Sequence, residues 1–281
     1  MTSTGGDEHL SRIHRSLDRF RKDHDRLLRF TQVGVKQSTQ LGVDDDETAP
    51  LLMSHSAFQA VNLAADCALA LHRLCMQEDT ITFHQYAHYS LARSGIEGAA
   101  QCIWLLAPEG RRERVARLLG VRAKELQKDS GLYRAMTKAR ATDSSSERIA
   151  KDRGRNELNA RIKALKQWLA DVSERNEFDV EHLELPTTFD MVEMATSLTG
   201  VRAEYGSVTW SVLSGLAHPS ASRSLQFSRK REVGESRPGV VSVETTADHR
   251  TTMIAFAALE SLLDKALDLL ALRMLTPERR A

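Results

Sequence analysis

The sequence has no stretch of 18 uninterrupted apolar residues, so no membrane-spanning helix is expected. The first twenty residues, MTSTGGDEHLSRIHRSLDRF, are charged throughout and contain no apolar segment, so no secretory leader is expected there either. Cysteine is scarce. Cys67, Cys75 and Cys102 have no C-x-x-C spacing, which predicts buried thiols in a reducing cytoplasm, without a disulfide framework or zinc site. Glycines occur singly and build no phosphate loop, and nothing resembles a G-x-S-x-G elbow. Net charge is nearly absent too, with 39 Lys and Arg against 38 Asp and Glu. No global field therefore marks nucleic acid or a membrane as partner.

What is present is a helical rhythm. Of the 281 residues 41% are apolar, enough for a substantial core, and between the six prolines they recur mostly at three and four. The pattern predicts helices over about 7–32, from Pro50 to 77, and over 81–106, 109–140, 146–174, 188–199, 202–217 and 248–275. Asp44-Asp45-Asp46-Glu47 reads as an acidic loop after the first helix. Strand-like alternation is confined to 222–246, where Leu225, Phe227, Val241 and Val243 flank a turn between Gly234 and Gly239. The last helix is apolar almost all round (Ile254, Phe256, Leu259, Leu262, Leu263, Leu267, Leu270) and predicts burial in a bundle or a dimer seam. The expected fold is an all-α multi-helix bundle with two long charged helices and one small β-hairpin before the last helix. Its expected division is an N-terminal helix and acidic loop over 1–48, then a helical domain over 49–276.

Charge is unevenly placed. Residues 109–175 carry a net +8 and the rest of the chain −7; 177–200 hold six acids and no base. The basic pair of helices reads either as a track for a phosphate backbone or as a solvated arm of mixed charge.

Two segments concentrate chemistry. On the helix around 84–106, Tyr86, Ser90, Arg93, Glu97 and Trp104 share one stripe, while Gly95, Ala99 and Cys102 form a narrow opposite face suited to close backbone approach. Arg93 and Glu97, one turn apart, read either as an ion pair that fixes packing or as a guanidinium held by a carboxylate to meet an anion such as phosphate. His84 and His88 have the spacing of a helical metal pair, but without an H-E-x-x-H motif and away from Arg93 and Glu97; no metal site is assigned. In the later helix Ser207, Ser211, Ser214 and His218 form a small polar stripe, with Tyr205 on the other side. Pro219 places His218 at the helix C-terminus, where the dipole favours the protonated ring. That position suits an acid–base group and equally a plain cap.

The pairing of Arg93-Ser-Gly-Ile-Glu97 with Leu213-Ser-Gly-Leu-Ala-His218-Pro-Ser resembles bacterial helical proteins of the HEPN type. The likeness is greatest to a branch with an Arg-x-x-x-Glu helix and a late Ser-x-x-x-His segment, and it covers about 50–275. It implies an α-bundle, commonly a homodimer, in RNA-cleaving or nucleotide-binding effectors of defence or toxin-type systems. No cofactor is implied. On that reading His218 moves a proton at a ribose hydroxyl, Arg93 holds the phosphate and Glu97 orients Arg93. Tyr86, Tyr205 and Ser214 are then substrate-binding. The sequence departs from catalytic HEPN ribonucleases, in which an arginine lies four to six residues before the histidine. Here Val212, Leu213 and Ser214 occupy those positions and the nearest upstream arginine is Arg202. Metal-independent RNA cleavage therefore requires Arg93 to substitute in space. The alternative is a non-catalytic interaction or regulatory module, in which Arg93, Glu97 and His218 form one buried polar cluster and the charged stretches dock a protein partner.

Overall fold

The computed structural model describes residues 4–78, 80–136, 144–179, 185–218, 220–234 and 241–278. Among these it is an all-α bundle with two small two-stranded sheets, the larger lying immediately before the last helix. No helix among the described residues is long and apolar enough to cross a membrane. By contacts the chain forms two compact units, one of residues 1–42, 54–107 and 186–281, the other of 43–53 with 108–185.

In the first unit the central pair is α4 (Ala87–Leu106) against α10 (His249–Leu275), with α1 (Thr4–Val33) on the far side of α10. The apolar stripe of α1, Ile13, Leu17 and Phe20, is fully buried, and Phe20 meets Phe256 edge-on at 5.7 Å between centroids. Three arginines of α1 face three acids of α10: Arg12 meets Glu260 at 3.2 Å, Arg19 meets Asp264 at 2.7 Å, and Arg26 reaches Asp264 and Asp268. The stripe of Phe256, Leu259, Leu262, Leu263, Leu267 and Leu270 on α10 is buried as its composition requires, but Ile254 and Leu272 face outward. Near the end of α10, Arg273 donates to the Leu106 and Ala107 carbonyls, satisfying acceptors that a helix C-terminus leaves open.

The close approach expected on α4 is made chiefly by Gly98. A Cβ there would lie 2.6 Å from the Ala60 carbonyl oxygen of α3 (Met53–Cys75), whereas one on Gly95 would meet the tip of Leu259. α7 (Thr188–Ser197) and α8 (Ala203–Ala217) complete the unit against α4, and α7 is capped by Thr187, whose Oγ1 accepts from Asp190 N. The cysteines are free and buried, and burial pushes the Cys75 and Cys102 thiols up to about 12.

In the second unit α5 (Arg111–Met136) and α6 (Ser145–Arg175) pair lengthwise. Ser144 and Glu147 start α6 with a reciprocal capping box, which explains why the serine run breaks the helical pattern. Val115, Leu118 and Leu119 of α5 and Leu165, Trp168 and Val172 of α6 are buried. Basic side chains find acids on the same pair of helices, as with Arg117 and Glu113, Arg122 and Glu125, and Arg161 and Asp129. The expected arm is thus a helical hairpin with internal charge pairing.

Four expectations need correction. The acidic run is not a loop: it belongs to helix α2 (Gln40–Thr48), and Asp44 is buried against Arg114 of α5. The helix attributed to Pro50 begins only at Met53, whose N–H donates to Thr48 Oγ1. Strand is not confined to 222–246, since β1 (Met76–Gln77) and β2 (Thr80–Ile81) form a small hairpin with Glu78 in a left-handed conformation. The helix expected from 81 therefore starts at Ala87. Finally, Leu225 and Phe227 lie on a short helix, α9 (Ala221–Phe227), capped by Ser220, and the hairpin proper is β3 (Ser228–Glu232) with β4 (Val243–Ala247). Pro219 and most of the 234–239 turn lie outside the described residues.

Candidate functional site

Helix α4 starts at Tyr86 without a side-chain cap, and Gln85 at that start donates to the Tyr86 hydroxyl and to Thr245 of β4. The hairpin is thereby tied to the start of α4. Helix α8 runs antiparallel to α4, so its last turn lies beside the first turn of α4 and its middle beside Arg93 and Glu97.

At the middle, Arg93 Nη2 meets Glu97 Oε1 at 2.9 Å, and the same oxygen accepts from Trp210 Nε1 at 2.8 Å. The guanidinium carbon stands 5.6 Å from the Trp210 ring centroid, within cation–π range. The Arg93 side chain is 25% exposed, yet its Nε is buried without an acceptor among the described residues. The cluster is therefore half-buried and joins α4 to α8 across their interface, with Glu97 shared between Arg93 and Trp210. The negative charge of Glu97, after burial and Asp66, also helps push the nearby Cys67 thiol up to about 11.

At the helix ends lies an open cleft of about 640 Å³, with Tyr86, Leu216, Ala217, His218, Ser220 and Thr245 among its lining residues. His218 is the exposed C-cap residue of α8, in an extended conformation. The start of α4 contributes Tyr86 to this cleft, but α4 does not bring Arg93 or Glu97 to it. Trp210, which marks the position of Arg93, precedes His218 by eight residues, or about 12 Å of helix rise. Thus Tyr86 and His218 share one site, while Arg93 and Glu97 form another with a partner absent from the sequence reading. Ser214 lies between them on α8, half-buried. Tyr205 stands at the opposite end of α8, exposed, with the Arg202 guanidinium 5.8 Å from its ring.

His88, unlike exposed His84, is fully buried; its Nε2 lies 3.2 Å from Thr252 Oγ1, and burial lowers its pKa to about 4. It is a neutral core histidine among Phe83, Tyr89 and Phe256. Trp210 was missed because it sits off the serine stripe of α8. The one available signal was general: an indole N–H that leaves water needs an acceptor. Comparison of the chain with family models, with curated protein sequences and with solved structures gives no match.

Proposed function

We propose that the protein is a non-catalytic helical interaction module, in which Arg93, Glu97 and Trp210 set the register of α4 on α8. The supporting observation is the shared Glu97 Oε1, which engages both Arg93 and the Trp210 indole. A guanidinium bound in this way, about two helical turns from His218, is poorly arranged to hold a phosphate that His218 attacks. The polar cluster expected from Arg93, Glu97 and His218 is in this reading an Arg–Glu–Trp cluster. The cleft around His218 and Tyr86 then serves recognition, either of a protein partner or of a second copy.

A HEPN-like RNA- or nucleotide-binding role is the second reading. It is favoured by one observation: an exposed tyrosine ring and a histidine line the same open cleft, with serine and threonine residues beside them.

One assay separates the readings. Purified protein is incubated with a mixed RNA pool, with and without chelator, beside His218→Ala, Arg93→Ala and Glu97→Gln. The interaction module leaves RNA intact in every lane, and Glu97→Gln lowers stability by about 1–2 kcal/mol, since it weakens a half-buried pair and an indole hydrogen bond. Chelator-resistant cleavage lost in both His218→Ala and Arg93→Ala overturns the proposal and establishes the ribonuclease.

A further inference from the structure

A separate cavity of about 230 Å³ lies between α7, α8 and α10, with Arg12 of α1 at its edge. Its origin is visible in the chain. Along α10 large apolar side chains dominate, but Ala257, Ala258 and Ser261 interrupt them and face Gly206 and Thr209 of α8. Gly206 also brings α8 against α7, because a Cβ there would overlap the Thr196 hydroxyl. Small residues on facing helices thus leave a space that leucines would fill.

Three of the hydroxyls around this space are occupied internally. Thr196 Oγ1 donates to Val192 O at 2.7 Å, Thr199 Oγ1 to Thr196 O at 2.8 Å, and Ser261 Oγ to Ala257 O at 2.9 Å. These residues therefore present mainly carbon to the interior. Val201, Tyr205 and Ile254, which also line the cavity, leave a large fraction of their apolar surface in water. The charged group of the lining is Arg12. Its Nη2 holds Glu260 Oε2 at 3.2 Å, while Glu260 also accepts from Ser16 at 2.7 Å. The other guanidinium N–H groups of Arg12 have no acceptor among the described residues, and a carboxylate fits that fork.

We propose that this cavity binds a small aromatic carboxylate, its ring between α8 and α10 and its carboxylate on Arg12. The volume sets the size. A dry cavity of about 150 Å³ accepts benzene, so about 230 Å³ accommodates a bicyclic ring of about nine or ten atoms. The site is independent of the cleft at His218 and of the Arg93 cluster.

The test is calorimetric titration of the full chain with indole-3-acetate and, separately, with indole. Saturable binding of the acid is expected with a Kd on the order of 0.1 mM, and of indole about tenfold weaker. Arg12→Leu removes the preference for the acid and leaves indole unchanged. Ala258→Leu fills the cavity and abolishes both, with an unchanged circular dichroism spectrum; Ser261→Leu, one turn further on, provides the same loss if Ala258→Leu fails to fold. No saturable binding of either probe up to millimolar concentration overturns the assignment. So does binding that survives the cavity-filling variants, or an Arg12→Leu effect equal for acid and indole.

Discussion

Asp44→Asn is expected to be among the most damaging single-atom-scale changes in the second unit. The Arg114 Nε and Nη2 donate to the two Asp44 oxygens at 2.6 and 2.9 Å, and Nη1 donates to the Pro108 and Glu109 carbonyls. Both side chains are sealed, at 1% and 0% exposure. The amide retains the shape of the carboxylate but removes its charge and turns one acceptor into a donor facing a donor. Leaving a buried guanidinium uncompensated costs about 3–5 kcal/mol. With a urea m-value of about 2 kcal/mol/M, the unfolding midpoint falls by about 1.5–2.5 M. The assay is urea unfolding followed by far-ultraviolet circular dichroism at pH 7. Asp46→Asn, an exposed neighbour, serves as control and shifts stability by less than about 0.5 kcal/mol. Asp44→Leu combined with Arg114→Met removes both charges and recovers most of the loss, because an apolar pair of similar volume replaces an ion pair at little cost. A loss below about 1 kcal/mol for Asp44→Asn, or a double variant no more stable than the single, refutes the reasoning.

Two further outcomes follow from packing and from ionisation. Gly98→Ala, whose Cβ meets the Ala60 carbonyl, lowers stability by about 2–4 kcal/mol, whereas Gly131→Ala in α5, with open space around it, raises it by about 0.5–1 kcal/mol; thermal melts of the two variants should shift in opposite directions. Burial, opposed by Arg19 and reinforced by Asp264, raises the Asp23 carboxyl from 3.8 to about 6, so its contribution is present below pH 3.8 and lost as pH rises through 6. Burial lowers His88 from 6.5 to about 4, so its contribution is present above pH 6.5 and lost as pH falls towards 4. The two oppose each other between about pH 4 and 6. Asp23→Asn should expose a stability that climbs with pH by about 1–3 kcal/mol across that window, measured as Tm in steps of pH; an unchanged slope contradicts the linkage.

The long helices were legible because their apolar residues repeat at three and four over many turns, and α6 and α10 lie within a residue of their expected bounds; the expected end of α5 at 140 lies outside the described residues. The elements missed are those decided at long range. Asp44 belongs to a helix because Arg114, 70 residues later, takes its carboxylate, and nothing local distinguishes it from Asp45 or Asp46. Leu225 and Phe227 alternate like a strand, yet Ser220 caps a single helical turn or two over them. At the candidate site the Arg93–Glu97 pair was legible from its spacing alone, since i and i+4 meet on any helix. Its third member was not, because Trp210 depends on the register of α8 on α4. The separation of His218 from Arg93 depends on that same register.

The pairing of α1 with α10 also fixes the order in which the first unit is completed during synthesis. Arg12 and Ser16 meet Glu260 across 248 and 244 residues of chain, so α1 is made long before its main partner, α10. At about 5–20 residues per second, α1 waits about 12–50 seconds for α10. Throughout that interval Ile13, Leu17 and Phe20 wait without α10, while the second unit, of 43–53 with 108–185, has all its residues out of the exit tunnel well before α10. A newborn chain therefore carries the apolar stripe of α1 without its α10 cover until α10 arrives.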